Sequence, residues 1–477
     1  MAALTTESQR VDRKASHPNF VLATVLIGTF VGTINNTAAN VSLPEVISDF
    51  DVPLGSGTWF ITAYLLTLSV LMPLGGRLID FFGTRKLYLL SMFAFLIVSV
   101  CVPLAPNFGW VLVFRGLQGV FGSITLPTVM VTIATYFPAG KRGRAMGAWA
   151  GVNGTALALG PPIGGVITDA FGWRAVFWAS IPVVVIALIL SMAFLPHIES
   201  RKTGKLDLPG GALFTGGLAL LLLALSQGPR WGWSSVALIA SLATSTFLLG
   251  AFAFRSFSSK DPFLDLGIFK NRAYLATSMV AGLQMMVQFG TMFLTPLMLV
   301  LLFEKSVGFA GLVLFLLPLN MGIAGPWMGR LVDKNGSYGV IRAGCLSLLA
   351  GGVMLIVCVR SSELWPLYIG LVFVGWGIAA IQAPAASLAA ESLPSSIRGV
   401  GLGTYNTIRF TSGLVGTAIF SLLLEGVSGT GNVHRVSKTT QTDAFTADLV
   451  LLVVLACFTS FVLRFVMPRS VAMQRPA

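Results

Sequence analysis

The chain has 477 residues, 55% of them apolar and only 10% charged, where a domain folded in water carries about 25% charged residues. That composition excludes a water-soluble enzyme and a disordered chain. The formal net charge of +13 would suit a nucleic-acid binder, but the basic loops are short and lack interleaved aromatic residues, which excludes that class as well.

A helix needs about 20 apolar residues to cross the hydrocarbon of a bilayer. Fourteen such runs follow one another: 20–43, 57–77, 86–105, 109–136, 145–168, 174–196, 208–226, 234–254, 274–302, 307–331, 340–360, 364–390, 398–424 and 446–467. The first is too long for a cleaved leader, and Arg10, Arg13 and Lys14 before it read as a cytoplasmic anchor. Trp231 and Trp233, between the seventh and eighth runs, read as interfacial anchors. Residues 427–445 are expected to form the longest outer loop.

The basic residues test this count. Of 31 Lys and Arg, 23 fall on the side of the N-terminus and 6 on the other, while Arg115 and Arg409 lie inside the fourth and thirteenth runs. Lys and Arg concentrate on the cytoplasmic side, so both termini are expected there, in a multi-pass protein of the cell membrane. The four Cys sit in apolar runs without a CxxC spacing, and His17, His197 and His434 fall in loops. Neither a disulfide framework nor a metal or cofactor site is expected.

One phrase occurs twice. After the second run stands Gly76-Arg77-Leu78-Ile79-Asp80-Phe81-Phe82-Gly83-Thr84-Arg85, and after the tenth Gly329-Arg330-Leu331-Val332-Asp333-Lys334-Asn335-Gly336. Both read G-R-L-aliphatic-D-x-x-G at matched places in two six-helix blocks. The expected organisation is an all-α membrane protein with a six-helix bundle over 1–200, an inserted two-helix linker over 201–269 and a second six-helix bundle over 270–477. Such parallel repeats place a substrate site at their interface near the bilayer midplane. The first Gly lets two helices approach closely, and the last permits a positive φ. Asp80 or Asp333 can accept hydrogen bonds from a neighbouring helix N-terminus. Gly76, Arg77, Asp80, Gly83, Arg85, Gly329, Arg330, Asp333 and Gly336 are therefore gating candidates. Gly160, Pro161, Pro162, Gly164 and Gly165 in the fifth run join them, because prolines kink a helix and glycines let it pack closely.

Ionisable residues deep in a bilayer cost about 2.5–3.5 kcal/mol at a helix centre on insertion scales, so Arg115 and Arg409 are functional candidates. Asn35 lies at a depth where it can face Arg115. Gln284 and Gln288, four residues apart, share one helix face. Met285, Met286, Phe289, Met292 and Phe293 around them offer an adaptable wall, toward either a cavity or lipid. Asn36, Asn40, Gln118 and Asn406 complete the substrate or coupling candidates. No carboxylate falls at a helix centre: Glu45, Asp169 and Glu425 are placed at outer ends and Glu391 at an inner one. A cavity built this way is electropositive and is expected to favour neutral or anionic amphiphiles over cations. The alternative for Arg115 is a hydrogen-bond hub tying three helices together.

These motifs resemble those of the major facilitator superfamily, and the six-plus-two-plus-six count resembles its fourteen-helix drug:proton antiporter branch. Arg115-Gly116-Leu117-Gln118-Gly119 is similar to the family's RxxQG segment and Gly160-Pro161-Pro162-Ile163-Gly164-Gly165 to its GPxxGG antiporter motif. Trp173-Arg174-Ala175-Val176-Phe177 is similar to WRxxF, and Asn406-Thr407-Ile408-Arg409 to NTxR. The resemblance implies a secondary exporter of hydrophobic or amphiphilic small molecules, of the drug or antibiotic efflux type, working by alternating access with proton antiport; a monomer is expected. One departure stands out: Asn35 occupies the place of an Asp in the family pattern LDxTxxNVALP. An amide cannot titrate, so a proton would have to use Asp169, Glu45 or water near Arg115. A lipid or lipid-linked flippase and an uncoupled facilitator are alternatives on the same fold. A receptor or lipid-modifying enzyme is disfavoured, since no catalytic dyad is visible and the doubled loop would go unexplained.

Overall fold

The computed structural model describes residues 18–196, 206–232, 234–428 and 437–465, and these are helical almost throughout. Fourteen long helices follow in order: α1 Pro18–Val41, α2 Trp59–Phe82, α3 Thr84–Cys101, α4 Phe108–Tyr136, α5 Ala139–Phe171, α6 Trp173–Phe194, α7 Leu208–Trp231 and α8 Val236–Ser258. The second block holds α9 Arg272–Leu301, α10 Val307–Asn335 interrupted at Phe315, α11 Ser337–Ser361, α12 Trp365–Glu391, α13 Arg398–Ser428 and α14 Lys438–Phe465. Side-chain caps fix several starts. Asn107 accepts from the Trp110 amide at 3.1 Å before α4, and Asn271 from the Ala273 amide at 3.0 Å before α9.

Among the described residues, 13 helices are long and apolar enough to cross a membrane. The remaining long one is α5. Its first turns carry Lys141, Arg142 and Arg144, and its middle is rich in glycine because it packs on helices rather than on lipid. The basic flank before α1, the three His and Trp233 lie outside the described residues, whereas Trp231 is partly exposed.

The two six-helix blocks use equivalent pairings. In the first, α1 packs on α5 and α6, and α4 on α2 and α3. In the second, α9 packs on α13 and α14, and α12 on α10 and α11. Between the blocks, α5 meets α10 and α2 meets α13. The inserted helix α7 packs on both α2 and α13, with Leu218 and Leu222 against Val70 and Leu414, and α8 lies on α7. At the head of α7, Asp207 takes hydrogen bonds from Arg255, Gly210 and Phe263. Burial pushes its carboxyl up, but these bonds outweigh burial and hold it below the usual carboxylate range.

One boundary changes the chemistry. The helix expected over 446–467 begins at Lys438, so Asp448 stands ten residues inside it rather than at its mouth. The expectation that no carboxylate falls at a helix centre is corrected by this longer α14, which carries Asp448 well inside its ends. Its first turns are Thr, Gln and Asp, which hydropathy assigns to a loop but which a helix accommodates.

Candidate functional site

The doubled phrase closes one face of the molecule, here called the latch face. Asp80, near the end of α2, accepts the Gly399 amide at 2.7 Å and the Val400 amide at 2.8 Å, both in the first turn of α13. Unpaired amides and the positive end of the helix dipole make that turn a ready site for a carboxylate. Asp333, on α10, accepts the Arg144 amide at 3.2 Å and pairs with Arg144 Nε at 3.3 Å near the start of α5. Each block therefore sends its second helix to the fifth helix of the other. The first Gly of each phrase sits at the closest backbone approach. A methyl group on Gly76 would fall on the Gly399 carbonyl, and one on Gly329 would lie 2.9 Å from the Gly147 Cα. The last Gly of each phrase turns the chain with φ of 90° at Gly83 and 77° at Gly336. Arg85 donates to the Met192 carbonyl at 2.6 Å, Arg77 is half-buried and Arg330 is exposed.

The receiving helices carry a second doubled phrase that the sequence reading missed. Arg142-Gly143-Arg144-Ala145-Met146-Gly147 opens α5 and Arg398-Gly399-Val400-Gly401-Leu402-Gly403 opens α13, both R-G-x-x-x-G. Their arginines cross the seam in matching directions. Arg398 donates to Thr135 Oγ1 at 3.3 Å at the end of α4, and Arg142 lies 3.9 Å from Glu391 at the end of α12. Searching for a second internal repeat would have found this phrase.

Beyond the latches the seam continues inward. Gly151 and Gly154 of α5 face Pro326 and Gly322 of α10, while Thr407 of α13 donates to the Ser69 carbonyl of α2 at 2.8 Å. Above this seam lies a cavity of about 860 Å³ between the two blocks, within the range of sites for drug-sized ligands. Its lining reaches Asn40 at the tail of α1 and Thr58 at the head of α2, toward the face opposite the latches.

Of the sequence candidates, Asn36, Asn40, Gln288, Asn406 and Arg409 line this cavity, whereas Asn35, Arg115, Gln118 and Gln284 do not. Gln284 instead donates to Gln288 Oε1 at 3.0 Å. Met285, Phe289, Met292 and Phe293 do form part of the wall. In α5, Gly160 and Gly164 press on Thr37 and Ala38 of α1 within the same block. Pro161 and Pro162 are exposed, Gly165 meets little beyond Val41, and α5 runs through the motif without interruption.

The two intramembrane arginines differ. Arg115 is fully buried and donates from Nε to the Phe60 carbonyl at 3.0 Å, from Nη1 to Gln118 Oε1 at 3.0 Å and from Nη2 to Asn36 Oδ1 at 3.1 Å. The rings of Phe60 and Tyr64 each lie 4.8 Å from its guanidinium carbon. Gln118 passes the network to Ser99 on α3 at 3.0 Å. The expected facing of Asn35 is corrected: its Nδ2 donates to Ser180 Oγ on α6 at 2.9 Å, and the next residue, one helical step round, meets Arg115. Arg409 has weaker company. Nη1 reaches Asn406 Oδ1 at 3.3 Å, Nη2 reaches Met285 Sδ at 3.9 Å, and Nε meets no acceptor. Among the described residues neither arginine pairs with a carboxylate.

Asp448 is the buried carboxylate that the shorter α14 had concealed. It is 0% exposed, and neither carboxylate oxygen meets a hydrogen-bond partner. It lies outside the cavity lining, on a helix packed against α9, α11 and α13.

A chain with repeated latch loops, a seam between two blocks and a central cavity is a transporter in form, and comparison with known proteins fixes its family. The model of the Major Facilitator Superfamily matches residues 25–417. The chain belongs to that superfamily. It is 32% identical to the riboflavin transporter RibZ of Clostridioides difficile over 84% of this chain and 87% of that protein. It is 29% identical to the lincomycin resistance protein LmrB of Listeria monocytogenes, over 84% and 85% of the two chains. Among solved structures, the superfamily's proton:xylose symporter XylE aligns with a TM-score of 0.65 over 93% of this chain and 95% of its own, at 14% identity, a likeness of fold. The chain is thus a transporter of small molecules and a multi-pass integral membrane protein, not an enzyme.

Proposed function

We propose that this superfamily member exports amphiphilic small molecules by alternating access, as a drug-efflux type of carrier. The single observation behind this reading is the cavity between the blocks, shut on one face by two equivalent Asp latches and lined toward the other. The charge count supports a cytoplasmic latch face, and on that reading this conformation faces outward. Substrate enters from the cytoplasmic side when both latches open and leaves when they close. The Met and Phe wall suits varied apolar bodies, and the relatives include a lincomycin resistance protein and a tetracenomycin C resistance and export protein.

Proton antiport belongs to the same proposal. With Asn35 unable to titrate, Asp448 is the carboxyl that can carry the proton. Among the described residues it pairs with no basic side chain, and it sits on a helix that packs against α9 and α13, which bear cavity residues. A buried ionised carboxylate without a partner is costly, so a change in the wetting of α14 exchanges a proton there. The test is flux in proteoliposomes with and without a pH gradient. Uphill movement of an amphiphile driven by the gradient is the expected result. Absence of flux of any amphiphile overturns the exporter reading, and flux indifferent to the gradient overturns the antiport part.

A further inference from the structure

The cavity floor carries hydrogen-bond donors that no protein group satisfies. Arg409 Nε, Gln382 Nε2 and Trp149 Nε1 all belong to cavity-lining residues, and none has an acceptor among the described residues. Each of these residues is at least nine-tenths buried. They come from three helices, α5, α12 and α13, yet stand at one depth. Trp149 is ten residues from the start of α5, Gln382 nine from the end of α12 and Arg409 eleven from the start of α13. All three counted ends lie at the latch face, so the donors share a level about 15 Å in, at 1.5 Å per residue. The set also holds the cavity's only charge: among its lining residues there is no Asp, Glu, Lys or second Arg. Arg115, the other buried cation, is satisfied by protein acceptors and stands outside the lining.

Buried donors and a buried guanidinium left unmet cost free energy, and the cost is relieved by an acceptor that brings negative charge. Water would satisfy such donors, but it offers no counter-charge. The rest of the wall is uncharged, with an apolar part at Met292, Phe289, Phe293 and Leu68 and polar side chains such as Asn36, Asn153 and Gln288.

We infer that this floor is a binding site for an anionic oxygen group, a carboxylate, sulfonate or phenolate, whose attached apolar body lies against the Met and Phe wall. The site deepens the exporter reading and rests on it: the substrate is an amphiphilic anion, and its charge becomes the counter-ion of Arg409. The anion is held in the half of the cavity made by the second block, with Trp149 of the first block closing over it when the latches engage. A lipophilic cation finds no carboxylate here.

Two probes differing only in the charged group test this. 8-Anilinonaphthalene-1-sulfonate and N-phenyl-1-naphthylamine share one apolar body. Binding is measured on the purified full-length protein, and flux in proteoliposomes against empty ones. The sulfonate is expected to bind about tenfold or more tightly than the neutral compound, worth about 1.4 kcal/mol per tenfold. Arg409→Gln brings the ratio to about one, Arg409→Lys keeps part of it, and Gln382→Leu and Trp149→Phe each lower it several-fold. The last two variants keep the test alive if Arg409→Gln fails to fold, as judged by gel filtration. Equal affinities in the unaltered protein, a ratio unchanged in every variant, or tighter binding of ethidium than of the neutral probe overturns the anion site. If the neutral probe is still exported, the exporter reading survives that outcome. If neither probe binds or moves, both readings fall.

Discussion

Asp80 Oδ1 accepts the amide proton of Gly399 at 2.7 Å, joining α2 of the first block to the first turn of α13 in the second. Its other oxygen takes the Val400 amide, and Asp333 repeats the arrangement on α5. Hydrogen bonds to a charged group contribute about 1.5–3 kcal/mol each, so two of them can decide which face is shut. Asp80→Ala is expected to open the latch face by a factor of about ten or more, while Asp80→Asn, keeping one acceptor, does less. The readout is labelling of a cysteine placed at Met130, which sits in the seam against Asn406, by an impermeant maleimide added at the latch face. Unchanged labelling in Asp80→Ala would remove the latch from the mechanism.

The α5–α10 seam leaves no room for a side chain at Gly147. A Cβ on Gly147 would stand 2.6 Å from both the Gly325 carbonyl and the Gly329 Cα. Gly147→Val is therefore expected to prevent closure of this face and to leave export below about a tenth of normal, since the backbone cannot yield as a side chain would. The protein should still purify as a folded species, with its cavity labelled from the latch face. Normal export by this variant contradicts the close approach.

The two buried arginines should separate in stability measurements. Replacing Arg115 with Met takes the donor from Gln118 Oε1, away from the cavity, at about 1–3 kcal/mol for an unsatisfied group, and removes a second bond to the Phe60 carbonyl. A clear fall in melting temperature of the purified protein is expected. Arg409→Met removes only long contacts and a charge without a counter-ion, so its melting temperature should change little or rise. Equal losses in the two variants would argue against a free Arg409.

Asp448 is expected to govern the use of the pH gradient. One proton exchanged per substrate supports about tenfold accumulation per pH unit, each unit being about 1.36 kcal/mol. Asp448→Asn keeps the shape and the neutral form but cannot release a proton. Gradient-driven accumulation should fall to that of the uncoupled leak, while the protein remains folded. Retained accumulation in Asp448→Asn places the coupling group elsewhere.

An anionic substrate would also feel the membrane potential. An inside-negative potential pushes one negative charge outward by about 2.3 kcal/mol per 100 mV. Export of the naphthalene sulfonate probe should quicken when a potassium diffusion potential is imposed in that sense and slow when it is reversed. The neutral probe should respond less.

Hydropathy and the spread of Lys and Arg carried the fourteen crossings, because a lipid-facing helix must be apolar for about 20 residues whatever it packs against. The G-R-L-x-D phrase likewise carried the two-block plan, since a short loop with two glycines and an Asp has few geometries open to it. Rotation was out of reach. Successive residues on a helix point about 100° apart, and in a membrane helix both lipid and protein faces are apolar, so no periodicity says which side looks inward. That is why Asn36 rather than Asn35 meets Arg115. The unmet Nε of Arg409 and the isolation of Asp448 are of the same kind: a side chain's unmet bonds depend on what other helices bring within hydrogen-bond reach, and those helices are set by the tertiary packing.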